Sequence, residues 1–418
     1  MTGATNGKWV GFLLAAYSLL WLVPCVGGIL VPMGNGLRDW RHSNCVAARF
    51  LRDGKSLALY TLDYSGEALV KWELPHMKMA EIHRLKFDET LGDFLRLWLT
   101  PQLLVLEAGS GSQRFLIDRQ KPARPIPILH GIGDVSVVDD RCFVLWLNYP
   151  LEPAVSMSGF VYRTNISGAP ELIKQLSFEL PVRRVLYRTA AAGALRCLYI
   201  GLDAKEVPLV KGQAGGTVCS NKLSPRGPLM IASLDITAGS LIDVKNLGLD
   251  CGASVAIHNL RSNEIILGSA VDHLIVLSAE DFTVKGKRNW AFSFPEPKKD
   301  SEEDMVTLGA FAPSGQYVAY CDPFGKVVAR EWPSGKVVLY DNHHKLLLDR
   351  YCKKLASDPS KRVSAALTMV LMGVQDIAFV DSHILALSTG SGHVYLYDVQ
   401  RGQRLHTHLV CREDFLQQ

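Results

Sequence analysis

Beyond residue 44 the chain runs as short apolar stretches of about five residues, partly alternating with polar ones and broken by D-G, S-G, G-S-G and P-x-G. Alternation on a period of two, bounded by residues that accept positive φ, predicts β-strands joined by tight turns. The segment FLRDGKSLALYT at 50–61 returns in altered form as FAPSGQYVAYCD at 311–322. Such a recurrence within one chain is the mark of a repeat architecture.

Three copies are clear: Cys45 to Leu74, Val306 to Lys336, and Val374 to Leu405. In each, an apolar strand enters a turn at Asp53-Gly54, Ser314-Gly315 or Asp381-Ser382. A second strand reaches another turn at Ser65-Gly66, Phe324-Gly325 or Ser391-Gly392, and a third ends at Trp72, Trp332 or Tyr397. These aromatics are expected to pack between repeats. Fainter copies span Leu97 to Asp118, Val135 to Arg163, Val182 to Ile236 with an insertion, and Val255 to Trp290. Together they make seven, spaced more widely than the roughly 40–50 residues of a strict propeller repeat because loops intrude.

These repeats resemble blades of WD-repeat β-propellers, over nearly everything after residue 44. The Gly-His that opens a regular repeat of that family is missing, and its Trp-Asp survives only as Trp72-Glu73, Trp332-Pro333 and Tyr397-Asp398. The segments SLDITAGSLI at 233–242 and VLSAEDFTVKGKRNWAF at 276–292 are similar to repeats of quinoprotein-like propellers. The resemblance implies an all-β, seven-bladed propeller over residues 44–412, with six or eight blades as near alternatives, and a tail at 413–418. It implies no cofactor, because the vicinal cysteines and calcium-ligand cluster of active quinone enzymes are not identifiable.

Ahead of the repeats, Trp9 to Met33 runs 25 residues without a charge, enough to cross a hydrocarbon core of about 30 Å. A single transmembrane anchor at 9–33 is expected, between a tail at 1–8 and a linker at 34–43; a cleaved signal leading to a secreted or periplasmic propeller is the alternative. The apolar run exceeds a normal signal-peptide core, and no small-x-small cleavage site follows it. Lys8 precedes the run while Arg38, Arg41, Arg49 and Arg52 follow it, a bias that puts the propeller on the cytoplasmic side. The nine cysteines never form C-x-x-C, which reads as scattered thiols instead of a zinc site or disulfide framework.

Forty-five Lys plus Arg against forty-one Asp plus Glu leave +4 without single-sign blocks, so no basic footprint argues for nucleic acid. The chain lacks a G-x-S-x-G elbow, a phosphate-binding G-x-x-x-x-G-K-[ST], an H-E-x-x-H and an EF-hand loop, so no catalytic residue, metal ligand or cofactor site is assigned. His406 and His408 alternate on a strand and form at most half a metal site. Residues 203–228 and 298–304 read as loops.

One insertion differs in period. Within 341–372, Leu347, Tyr351 and Leu355 fall at helical spacing ahead of Pro359, predicting a short amphipathic helix. Its polar positions His343, His344, Arg350, Lys353 and Lys354 are the candidate contacts for a protein partner. The expected function is a membrane-anchored, non-catalytic protein-interaction scaffold; the alternative is a propeller enzyme or small-molecule sensor with a site at the central channel.

Overall fold

In a computed structural model the chain is all β, and its described residues form seven four-stranded antiparallel sheets. Description covers the strands from Val46 to Leu409 and most of the turns after residue 226. Residues 1–45, 202–225, 296–305, 343–372 and 411–418, positions 324 and 391, and most loops before residue 194 lie outside it. The expected anchor at 9–33 and the candidate contacts His343, His344, Arg350, Lys353 and Lys354 therefore lie outside the described residues. Among the described residues no helix is long and apolar enough to cross a membrane.

Each sheet is built from four consecutive strands. The first holds β1 to β4, at Val46–Asp53, Ser56–Asp63, Ala68–Glu73 and Lys78–Arg84. The second holds β5 to β8, at Leu95–Leu99, Leu103–Ala108, Gln113–Asp118 and Ile126–Pro127. The third holds β9 to β12, at Asp134–Val137, Cys142–Trp146, Met157–Arg163 and Glu171–Phe178. The fourth, with the longest strands, holds β13 to β16, at Val182–Ala191, Ala194–Gly201, Gly227–Asp235 and Ser240–Cys251. The fifth holds β17 to β20, at Val255–Asn259, Glu264–Gly268, Leu274–Ser278 and Val284–Arg288. The sixth holds β21 to β24, at Leu308–Phe311, Tyr317–Cys321, Lys326–Glu331 and Val337–Asn342. The seventh holds β25 to β28, at Val374–Phe379, Ile384–Thr389, His393–Asp398 and Gln403–Leu409.

This is propeller architecture. The first strands lie side by side in chain order: β25 beside β1, β1 beside β5, β9 beside β13, β13 beside β17, β17 beside β21 and β21 beside β25. Sheets bury their faces against the next sheet, which a lone four-stranded blade cannot do for itself. Ala319, Cys321 and Val327 of the sixth sheet pack on Phe379, Leu385 and Tyr395 of the seventh. Leu62, Leu69 and Ala47 of the first pack on Leu97, Leu104 and Phe115 of the second. The circuit closes where Ala48, Leu59, Val70 and Trp72 of the first sheet meet Val394 and Val410 of the seventh.

Burial falls from the middle of each blade to its rim. β19 (LIVLS) is buried throughout, because both its faces meet neighbouring sheets. The fourth strands β16 and β20 are mostly exposed. Trp72 and Tyr397 are buried, as expected of aromatics between repeats, and Trp332 is half-buried.

The two look-alike segments pair differently. In the first sheet β1 and β2 pair as far as Asp53 opposite Ser56, with Phe50 opposite Leu59. In the sixth, β21 ends at Phe311 opposite Val318, and Gly315 takes a φ of 71° in the wider turn. Two boundaries need correction. Asp341 and Asn342, placed in the helical insertion by the sequence, complete β24, where Asp341 accepts hydrogen bonds from Arg404 of β28. Gly227 and Pro228, assigned to the loop at 203–228, begin β15.

Candidate interaction surface

Two surfaces carry groups whose chemistry goes beyond packing: the inner ring of first strands, and the outer rim near the fourth sheet. On the inner ring, Arg49 of β1 reaches three blades. Its Nε donates to the Leu97 carbonyl of β5 at 3.0 Å and a terminal nitrogen donates to the Gln375 carbonyl of β25. Beside it the Phe50 amide donates to Asp376 Oδ2 at 2.8 Å, and the Ile377 amide to Oδ1 at 2.9 Å. Arg52 adds bonds to the carbonyls of Phe379 and Val380. Enclosure by protein raises the Asp376 carboxyl above its ordinary pKa, and the Arg49 guanidinium and the two amides oppose the rise. Asp376 is nevertheless only half-buried by solvent contact.

Arg184 of β13 behaves alike. It is exposed to solvent, yet surrounding protein lowers its pKa by desolvation. Nearby, the Tyr187 hydroxyl lies 3.0 Å from His258 Nδ1, joining β13 to β17. Desolvation lowers the His258 pKa, opposed by a hydrogen bond with Asn263. Among the described residues no group of three or more His, Cys, Asp or Glu could hold a metal ion. His406 and His408, the half-site considered from sequence, have ring centroids 6.4 Å apart, and His408 packs against Trp72 across the closing seam at 5.8 Å. Their arrangement ties the seventh sheet to the first.

The outer rim is dominated by β16, whose residues Ser240 to Asn246 are all exposed. Three of them are apolar, Leu241, Ile242 and Val244, with Ile242 59% exposed. On the neighbouring third sheet, Leu172 and Ile173 of β12 are exposed as well. The two strands meet where Lys174 donates to the carbonyls of Thr237 and Ala238 in the turn leading into β16. Five exposed apolar side chains thus lie on the outermost strands of two adjoining blades. Scattered exposed apolar residues are ordinary; a group of them rimmed by charge marks a contact surface. Sequence reasoning ended the corresponding repeats at Arg163 and Ile236 and so missed both strands. The signal was present as SLIDV at 240–244, a short β-prone stretch of mixed polarity just after the Gly239 turn.

The fold belongs to the β-propeller class on its own topology. Solved structures similar to the chain are WD40 propeller proteins. Saccharomyces cerevisiae Sqt1 shares 12% identity, covering 88% of this chain and 86% of that one, at a TM-score of 0.48. The Cps50 (Swd1) propeller domain of Myceliophteria thermophila shares 15%, covering 85% and 96%, at 0.46. KlAtg21, solved in complex with the coiled coil of AgAtg16, shares 11%, covering 87% and 99%, at 0.49. No family model and no curated protein matches the chain.

Proposed function

We propose that the protein is a membrane-anchored, non-catalytic interaction scaffold: one ring of seven blades, held by residues 9–33 on the cytoplasmic side, that binds protein at its rim. The observation that carries this reading is the uncovered apolar edge at Leu241, Ile242 and Val244 with Leu172 and Ile173 beside it. Soluble surfaces keep such groups small unless something covers them. The insertion at 343–372, with His343, His344, Arg350, Lys353 and Lys354, adds a second contact region in this proposal.

Two measurements test it. Alkaline carbonate extraction is expected to leave the full-length chain in the membrane fraction; complete release of a chain that retains Met1 removes the anchor. Affinity purification in mild detergent is then compared between the wild type, a chain with 343–372 replaced by a short linker, and Ile242→Asp. A stoichiometric protein partner diminished in at least one variant is the expected result. If the preparation instead carries a bound small molecule and no protein, the site lies in the channel and the scaffold reading fails.

A further inference from the structure

The free edge of β16 is complementary to itself. The strand closes the order β13-β14-β15-β16 of the fourth sheet, so its outer edge has no neighbour within that sheet. Opposed residues of an antiparallel pair i and j satisfy a constant sum, and side chains directly across lie about 4.5–5.5 Å apart at Cβ. If two copies of β16 meet with Val244 on the two-fold axis, Asp243 of each copy stands opposite Lys245 of the other. Val244 of each copy then faces its counterpart, on the opposite side of the sheet from the charged pairs.

The neighbouring even registers set Asp243 against Asp243 or Lys245 against Lys245, and like charges directly opposed destabilise. Odd registers place either charge against Val244. A single register therefore satisfies both charges, and it does so twice because the interface is isologous.

Three further observations agree. Asp243 and Lys245 are exposed and have no ion-pair partner among the described residues, whereas nearby Arg226 is paired with Asp250 and Asp272. Asp243, Val244, Lys245 and Asn246 pair evenly with Ser233, Ala232, Ile231 and Met230, which gives the outer edge a regular spacing over this stretch. Irregularities bound the stretch on both sides: the register shifts between Ser233 and Leu234. Past Asn246, the Gly248 amide turns back to Asn246 Oδ1 at 2.8 Å, with Gly248 at a φ of 70°. Bulges commonly guard an edge from open-ended pairing; here they confine it to a short central stretch and fix its register.

From this geometry we infer that the partner at β16 is a second copy of this chain, joined by antiparallel strand addition centred on Val244. The inference rests on the reading of the rim as a protein-binding surface and names its occupant. The paired stretch is short, so the association is weak by area and its measurement spans about 1–100 μM protein.

The test uses the full-length chain in detergent micelles, with mass from sedimentation velocity corrected for bound detergent. Wild type is expected to shift from monomer to dimer across the series. Asp243→Lys alone and Lys245→Asp alone each weaken the dimer about tenfold or more, because each sets like charges opposite one another. An equimolar mixture of the two variants restores dimerisation, since the D243K chain then meets the K245D chain with opposite charges at every pair. A misfolded variant cannot give that rescue.

A second readout fixes the register. Val244→Cys, on the axis, is expected to cross-link to itself under mild oxidation, beyond the wild-type background of native cysteines. Asn246→Cys does not, because the two copies of that position lie four residues apart along the strand, about 13 Å. A wild type that stays monomeric throughout, or a dimer indifferent to both charge reversals, overturns the inference. If the wild type is monomeric while Ile242→Asp still removes a purified partner, the scaffold reading survives and only the self-pairing falls.

Discussion

Between the fifth and sixth sheets the blades meet through close packing. Gly309 brings the β21 backbone against the Ile257 side chain, leaving no space for a Cβ. Around it Phe292, Phe294 and Tyr320 interlock, with Phe292 and Tyr320 centroids 4.8 Å apart. Between the seventh and first sheets the apolar packing of Ala48, Leu59, Val70 and Trp72 on Val394 and Val410 is joined by Arg49, Asp376 and Arg52, which bond to backbone groups across the gap. The difference follows from chain connectivity. Neighbours in sequence are held close by the chain itself, and between the fifth and sixth sheets apolar burial is supplemented by the Trp290 Nε1 bond to the Pro333 carbonyl. The first and last blades close a loop of more than three hundred residues. Directional bonds across that gap give the last seam a defined register that non-directional packing cannot supply.

Two substitutions sharpen this contrast. Gly309→Val is expected to have the largest effect, because the added side chain meets Ile257 and the Ala319 carbonyl at once. Overpacking of this kind costs about 1–3 kcal/mol and sometimes more, and it should appear as a lower urea midpoint at unchanged m. A tolerance within a few tenths of a kcal/mol would show that the seam is loose. Arg49→Met keeps the aliphatic stem but removes the donors that serve Leu97 and Gln375. Leaving carbonyls without a donor costs about 1–3 kcal/mol. Gln375 is only partly buried, so water repairs part of the loss there, and the effect is expected near the lower end. Its location is the sharper test: amide hydrogen exchange should rise in β1 and β25 and stay unchanged in β17 and β21. A uniform rise would mean that the closing seam has no separate identity.

The same contrast explains what was legible in the sequence. Strands buried on both faces announce themselves: ILALS at 384–388 and LIVLS at 274–278 are continuous apolar runs between turn residues, and their repeats were found with correct order. The fourth strands did not. KMAEIHR, ELIKQLSF and QRLHTHL carry mixed polarity because water lies on one or both sides, so no periodic burial is imposed on them. The polar seam was invisible for another reason. Arg49 and Gln375 are separated by 326 positions, as are Phe50 and Asp376, and the partner on one side is always a backbone atom, which leaves no trace in residue identity. The rim surface was missed with its strand, whereas the contacts chosen from sequence, His343 to Lys354, lie outside the described residues.

The smallest expected effect concerns protonation at the closing seam. The Asp376 pKa is raised by enclosure, so the folded chain holds that proton more firmly than the unfolded chain does. From this group alone, stability is highest while the carboxyl is protonated in both states. It declines as pH rises from the ordinary aspartate value through the raised folded value, and then stays lower. Asp376→Asn is neutral at every pH and keeps one of the two acceptor oxygens, so its own cost does not titrate. The stability of wild type relative to D376N is therefore expected to be greater near pH 4 than near pH 8, with the change confined to the interval above the ordinary aspartate pKa of about 3.9. Thermal midpoints of both chains across that range measure the gap, since titrations common to the two cancel in the difference. A gap that widens toward alkaline pH would mean that Arg49 outweighs enclosure and the seam is a stabilising ion pair; a flat gap would mean that the carboxyl titrates alike in the folded and unfolded chains. Either result would change the account of the closing seam and leave the packed seam at Gly309 as it stands.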